Sequence, residues 1–435
     1  MKRNGLLLLS VAVLAVPAPV WAQRPLTLEE AVSMAQRNAL QVIQAQGQVR
    51  TSGAAVKGAY AAFLPNVSLS AGATRQYTSG GRTQIQNGQV ITLPTDPWSS
   101  SAGLGANVDL FTGGQRFFDL RQARARKTAA DVNEKAQQFG AALAAKQQFF
   151  NVLAARESQT AAAAQLGQAE LQLKTAIART RARVATRSDS LRSEIQYRTA
   201  QLAVVDAQNA LETANASLTR VTGSPEPVTA VPADSTDLPP LALDEPSLRE
   251  LALNGPDVQQ AVAELRAAKA AQKSAWTDFL PSLSASYSRT GSGSGSNPEF
   301  VSSDFGYTGA LRFSAALPIF TQWTRVERVT QAKVDQENAE AALRDSRLAA
   351  LETLTQQLGA FRSARERTIS QAASVEAAEE DLRVQQQRYA VGASTLLDVL
   401  TSQTQLNEAR SDLIRARYDQ RVAKAQLEAL VGRGL

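Results

Sequence analysis

The sequence predicts a mainly α-helical chain with a β-section, built as two tandem structural repeats. Three observations predict it. The second half of the chain repeats motifs of the first at constant spacing. Each half holds two segments in which apolar and small polar residues alternate with period two. Each pair of segments is followed by a long stretch rich in good helix formers.

Composition excludes much chemistry. The 435 residues include no His, no Cys and two Met. Metal sites lean on His and Cys ligands, and general bases and nucleophiles draw on the same residues. No catalytic residue, metal ligand or cofactor is therefore assigned. A chain without Cys also fits export to a compartment where thiols oxidise. The formal charge of +6 is spread along helices as solvated faces, so no nucleic-acid partner is expected.

Lys2 and Arg3 precede an apolar run from Leu6 to Val16, and Val20-Trp21-Ala22 offers a small-residue cleavage site. This is the pattern of a secretory signal over 1–22, with a mature chain starting at Gln23 and no Cys there to carry a lipid. No other stretch approaches the roughly 20 apolar residues of a membrane helix. Any membrane span is then built from strands.

The duplication is in register. Asn38 to Pro65 and Asn254 to Pro281 are equally long, and end in Phe63-Leu64-Pro65 and Phe279-Leu280-Pro281. Asp109-Leu110-Phe111 matches Pro318-Ile319-Phe320, Asp189-Ser190-Leu191 matches Asp398-Val399-Leu400, and Val221-Thr222-Gly223 matches Leu430-Val431-Gly432, all at one offset. The first half is longer by seven residues between its Pro and its Phe. The repeats span 23–223 and 247–435. Between them 224–246 holds Pro225, Pro227, Pro232, Pro239, Pro240 and Pro246, which exclude helix interior and predict an extended linker.

Val67, Leu69, Ala71 and Ala73 alternate with Ser68, Ser70, Gly72 and Thr74, and Ala102, Leu104, Ala106, Val108 and Leu110 with Gly103, Gly105, Asn107 and Asp109. Leu283, Ala285 and Tyr287 alternate with serines, and Tyr307, Leu311, Phe313, Ala315 and Leu317 with Thr308, Arg312 and Ser314. Strands are predicted at about 66–76, 101–111, 282–290 and 307–319, long enough for a membrane barrel with one face to lipid and one to water. The stretches Gln76 to Ser100 and Gly291 to Asp304 read as loops. Four strands do not close a barrel, and open edges are forbidden in lipid. Three chains supply twelve strands with closed symmetry, a trimeric twelve-stranded barrel to which each protomer gives four.

Helical hairpins are predicted over 114–222 and 322–431, with turns near Arg183 to Ser188 and Ala390 to Leu396. From Gly114 to Arg183 there is no Pro, which predicts a rod on the order of 100 Å. Phe139, Leu143, Phe150 and Leu153, with Leu351, Leu354, Leu358 and Phe361, recur at coiled-coil spacing. The returning helices carry Leu191, Ile195 and Leu202, and Leu413, Val422 and Leu430, read as seams of their own.

Several segments share a family pattern: Pro25-Leu26-Thr27-Leu28-Glu29-Glu30-Ala31-Val32, the paired Phe-Leu-Pro junctions, Asp109-Leu110-Phe111-Thr112-Gly113-Gly114, and the run from Arg388 through Tyr389, Gly392 and Thr395 to Leu400. Together they resemble the TolC-like outer-membrane efflux proteins over nearly the whole mature chain. The resemblance implies a homotrimer with its barrel in outer-membrane lipid and a twelve-helix tunnel spanning the periplasm. It implies a periplasmic adaptor and an inner-membrane pump as partners, and no catalytic step in this chain. The function implied is the outer-membrane channel of a tripartite efflux or type I secretion system.

The resemblance also implies a site at the periplasmic tip, where the tunnel closes like an iris. Asp398 matches an acidic ring at the pore constriction, and Thr401 stands where the family's best-known form has a second acid. Tyr389 and Asp189 match a latch pair, with Ser188 beside them; Gly392 permits the turn, and Ser394 replaces a latch arginine. Arg183 or Arg187 of the other hairpin is the candidate to rebuild that contact. Arg181, Arg183 and Arg187, with Arg179, mark an adaptor-docking tip or a solvated face. Asp189 and Asp398 each open a helix, so helix capping accounts for both as well. Tyr389 reads equally as packing at a helix end.

Two other architectures compete. A pump-independent porin would leave the long helices without a purpose, and a structural coiled-coil envelope protein would need no lipid-facing strands. An enzyme is disfavoured, because the chain has no phosphate-binding Gly loop and no nucleophile motif.

Overall fold

A computed structural model describes residues 23–77, 82–86, 88–93, 98–232, 244–298, 300 and 305–434. The predicted signal segment 1–22 and residues 233–243 of the predicted linker lie outside these. The first repeat runs β1 (Arg24–Leu26), α1 (Leu28–Asn38), α2 (Leu40–Ala61), β2 (Asn66–Arg75), β3 (Arg82–Gln86), β4 (Gln89–Leu93), β5 (Trp98–Thr112), α3 (Gln115–Arg181) and α4 (Arg187–Thr222). There follow β6 (Val228–Ala230), α5 (Glu245–Leu253), α6 (Pro256–Trp276), β7 (Ser282–Gly295), β8 (Gly306–Ala316), α7 (Thr324–Ala390) and α8 (Leu396–Val431). The duplication is structural: α3 and α7 have 67 residues each, and α4 and α8 have 36 each.

Two shorter helices stack end to end beside each long one. Helices α2 and α4 pack along α3, and α6 and α8 along α7. The stacks meet where the chain breaks helix. Gly223, left-handed at φ 61°, ends α4 against Asn38, whose amide donates to the Thr222 carbonyl at 3.4 Å. A Cβ on Gly223 would stand 2.8 Å from that of Asn38, so only glycine fits. Gly432 ends α8 in the same way beside Pro256, the first residue of α6. Midway along the long helices lie the cores. One gathers Leu26, Phe149, Phe150, Leu153, Leu218 and Val228; the other gathers Leu248, Leu354, Leu358, Phe361 and Leu427.

Four strands form one antiparallel sheet in the order β2-β5-β7-β8. The β5–β7 pairing joins the two repeats, and the outer edges of β2 and β8 pair with no described strand. The register keeps one side apolar: Leu69 faces Leu104, Val108 faces Ala285, and Tyr287 faces Leu311. The other side carries Ser68, Ser70, Gly103, Gly105, Asn107, a row of serines on β7, and Arg312. A bulge between Asp109 and Phe111 sets Phe111 opposite Leu283 and leaves Leu110 as the extra residue.

Several expectations are corrected. Strand β7 extends five residues beyond 290, because its Ser-Gly tail still alternates against β5, and β5 begins at Trp98 rather than 101. Strand β8 starts at Gly306 and ends at Ala316, short of 319, since Pro318 has no N–H for a ladder. The stretch read as a loop from Gln76 holds the β3–β4 hairpin; its sequence signal is Asn87-Gly88, the favoured two-residue hairpin pair, with Gly88 at φ 79°. Within the linker, β6 pairs in parallel with β1, and Val228 and Ala230 are fully buried, so this part is core rather than tether. Helix α5 begins at Glu245, inside the range assigned to the linker. On α4, Leu191, Ile195 and Leu202 are exposed; the face turned to α3 carries Ser193, Ala200 and Leu218. Small residues let α4 lie close to α3 and leave the larger ones outside.

Candidate functional site

The end of the molecule farthest from the sheet is built by two hairpin turns. Helix α3 turns into α4 and α7 into α8, by the same device. The N–H of Val184 returns to the Arg179 carbonyl (3.0 Å), and that of Ala393 to the Arg388 carbonyl (2.8 Å). Such closure needs one left-handed residue. In the second repeat this is Gly392 (φ 77°), and at the equivalent position of the first it is Arg183 (φ 60°). A non-glycine residue held there costs about 1–3 kcal/mol.

Each returning helix opens with a capping box. Thr186 caps α4: its Oγ1 accepts from the Asp189 N–H (3.2 Å), and Asp189 Oδ2 accepts from the Thr186 N–H (3.0 Å) and hydroxyl (2.8 Å). Thr395 and Asp398 repeat the arrangement on α8, with both bonds to the carboxylate at 2.8 Å. The Thr395 N–H and hydroxyl hold the Asp398 carboxyl below its ordinary pKa, and the positive charge of Arg388 adds to them. Asp398 therefore stays ionised and points from an exposed position. Thr401, one turn on, is also exposed, though its hydroxyl is turned back to the Leu397 carbonyl (2.9 Å). The opposite face of α8 buries Val399, Ser402, Gln403 and Leu406.

Tyr389 packs on the cluster of Leu382, Val399 and Leu406, and its ring lies under the Arg179 guanidinium, 4.6 Å from the centroid. This contact ties the end of α3 to the end of α7. Among the described residues no hydrogen bond joins Tyr389 to Asp189 or Ser188 within the protomer. Ser394 donates to the Gln385 carbonyl at 3.3 Å and so stiffens its own turn. Arg181, Arg183, Arg187 and Ser188 are exposed around the other turn. Sequence reasoning missed the Arg179–Tyr389 contact and a second tie: buried Gln403 of α8 donates to Gln168 of α3 at 2.9 Å. Nothing in residue spacing pairs α3 with α7 or α8, so only the assembled bundle reveals these partners.

With the sheet at one end and the twin hairpins at the other, the comparison with known proteins is direct. A sequence model of the outer membrane efflux protein family matches residues 31–224 and 248–433, one stretch in each repeat. The chain belongs to the outer membrane efflux protein family. Among curated relatives, the pyoverdine export outer membrane protein OpmQ of Pseudomonas putida is 27% identical, covering 94% of this chain and 86% of its own. The outer membrane protein TolC of Vibrio cholerae is 24% identical over 99% of this chain and 96% of its own. The solved outer membrane protein VceC of Vibrio cholerae superposes with a TM-score of 0.74 at 17% identity, covering 94% and 96% of the two chains. This efflux protein is thus an outer-membrane channel protein, with its strands in the membrane and its helical tunnel in the periplasm.

The α8 capping box gives a pH signature. A carboxyl with a lowered folded-state pKa stabilises above its unfolded value and loses that contribution as pH falls through the folded one. Measured against the unprotected rate at each pH, amide exchange in the first turn of α8 is expected to be slow at neutral pH and to quicken below about pH 4. In Thr395→Ala it should be fast already at neutral pH. A wild-type ratio to the unprotected rate that stays flat with acidification would contradict the assignment.

Proposed function

We propose that the protein is the passive exit duct of a tripartite efflux or type I secretion assembly, working as a homotrimer. The observation that carries this reading is the pair of open edges on the four-stranded sheet. Among the described residues the outer-edge backbone groups of β2 and β8 pair with no strand, and lipid offers them no partner. Pairing β8 of one chain with β2 of the next satisfies both, and three chains close the ring. The exposed row Leu191, Ile195 and Leu202 on α4 supports the same assembly, since a neighbouring hairpin gives it cover. In this reading 1–22 is a removed signal, and 23–223 and 247–435 are the two repeats, joined through 224–246.

The duct performs no chemistry; energy comes from an inner-membrane pump, reached through a periplasmic adaptor. Three copies of Asp398, ionised and exposed on α8, form an acidic ring at the tip that favours cations in a narrow lumen, with Thr401 the next residue along the passage. Tyr389, Asp189, Ser188, Gly392 and Ser394 make up the closing region. The Arg179–Tyr389 contact supplies a tie where the family's latch arginine is replaced by Ser394. Arg181, Arg183 and Arg187 offer the adaptor a basic turn. The strained Arg183 favours docking over a merely solvated face, because a glycine, as at Gly392, relieves the strain.

Light scattering of the detergent-extracted protein, corrected for bound detergent, should return a trimer; a monomer soluble without detergent would sink the duct. In the reconstituted pore Asp398→Asn, which removes charge but keeps an oxygen for Thr395, should weaken cation selectivity, and an unchanged reversal potential would refute the ring. Tyr389→Phe keeps the ring under Arg179 and removes only the hydroxyl. It should raise closed-state conductance, and a wild-type value would assign all of Tyr389's role to the Arg179 contact.

A further inference from the structure

We infer that Arg75 and Arg289 form, with Trp98 and Tyr307, a belt on the lipid face that binds phosphate-bearing lipid headgroups at the outer end of the barrel. This rests on the barrel reading above.

The starting observation is two cations on an apolar face. Arg75 is the last residue of β2, two pleats beyond Ala71 on the same side, and its register partner is Trp98. Arg289 of β7 faces Leu104 on one side and Gly309 on the other, in the row that begins with Leu69. The described strand residues on this face include no Asp and no Glu, so both charges are uncompensated there.

The repeat then fixes their height. Trp98 and Tyr307 are related by the same offset that relates α3 to α7, so they stand at one level of a ring built from repeats. Each carries an arginine. The Arg75 guanidinium lies 5.8 Å from the Trp98 ring and 5.0 Å from that of Tyr77; the Arg289 guanidinium lies 5.3 Å from the Tyr307 ring. Glycines make room for the aromatic side: Gly291 and Gly293 have no Cβ where Phe305 and Tyr307 pack, and Phe305 is buried over them. A trimer repeats this as six arginine–aromatic pairs around the barrel.

Depth decides what the belt meets. An arginine on the lipid face costs about 2–4 kcal/mol at the bilayer midplane and about 0–1 near the interface. Arg75, Trp98 and Tyr307 stand at the strand ends farthest from the helices, and Arg289, midway along β7, reaches toward that end with its guanidinium at the Tyr307 ring. That is headgroup level in the leaflet facing away from the periplasm. A guanidinium stacked on a ring keeps its in-plane N–H donors free, and their fork fits two phosphate oxygens. Among the described residues neither Arg75 nor Arg289 spends those donors on a carboxylate. Phosphate is the headgroup chemistry that matches both the charge and the fork.

The test uses the detergent-solubilised full protein, native mass spectrometry and two probes: lipid A carrying two phosphates, and the same lipid with its phosphates removed. Wild type should retain the phosphorylated lipid about tenfold better. Arg75→Gln with Arg289→Gln should abolish that preference, and Arg75→Lys with Arg289→Lys should keep part of it, which separates lost binding from lost folding. Equal retention of the two lipids by wild type, or an unchanged preference in the Gln variant, overturns the inference and leaves the duct standing. A wild type that needs no detergent removes both.

Discussion

The rest of the structure depends on one constraint: every backbone N–H and C=O inside a membrane needs a partner, and this chain brings a sheet whose two edges pair with no described strand. The strands are long enough to cross, their faces are sorted into apolar and small polar, and yet four of them do not close. The chain's solution is visible inside itself. Its central seam, β5 against β7, is a pairing between the two repeats and shows how one repeat's second strand takes up the next repeat's first. In the proposed trimer the seam between chains needs only the same pairing again, at β8 and β2. Below the sheet, the long helices follow from the same arrangement, since each repeat must send its chain away from the membrane and back.

The duplication also acts as an internal control, because each position can be compared with its counterpart. The described non-glycine residues with left-handed backbone are Arg183, Gln322 and Trp323, and their counterparts are Gly392, Gly113 and Gly114. The relaxed solution is therefore written in the same chain, and the strained one is kept beside it. Gly113 has no alternative: a Cβ there would stand 2.7 Å from Leu280 Cβ and 2.8 Å from the Thr277 carbonyl. The counterpart turn at Gln322 and Trp323 lies next to the free β8 edge, where Trp323 is 72% exposed. Another pair of counterparts does the same work twice. Arg116 stacks on Phe63 and donates to the Ala62 and Leu110 carbonyls, and Arg325 stacks on Phe279 and donates to the Pro318 carbonyl (2.6 Å). These arginines pin the paired Phe-Leu-Pro junctions, where sheet gives way to helix.

Charge is placed differently at the two ends. At the tip, Asp189 and Asp398 are bound into caps, so their charge is local in origin and positional in effect. At the far end, the cations on the apolar sheet face are held by rings, and no acid among the described strand residues of that face answers them.

Much of this was legible in the sequence, for a physical reason. Period-two alternation, Pro density, helix-forming composition and the repeat spacing are local or periodic properties, and the four sheet strands and the long helices follow from them. The resemblance of Tyr389, Gly392 and Asp398 to a family motif located the tip, and the Thr-x-x-Asp spacing at Thr186 and Thr395 makes capping a neighbour effect. What stayed hidden was pairwise and distant. Strands β1 and β6 have three residues each, too short for a period, and become strands only by meeting across the chain. Leu191, Ile195 and Leu202 keep a seam's spacing but face outward, because spacing sets a helical stripe and the bundle decides which side is inside. Arg179 found Tyr389, Gln168 found Gln403, and Arg289 found Tyr307 through packing alone. The sequence by itself determined the repeats, the four strands of the main sheet and the hairpin turns, since these depend on residues near one another; the tertiary structure decided the partners, since a contact between distant residues is set by where whole elements dock.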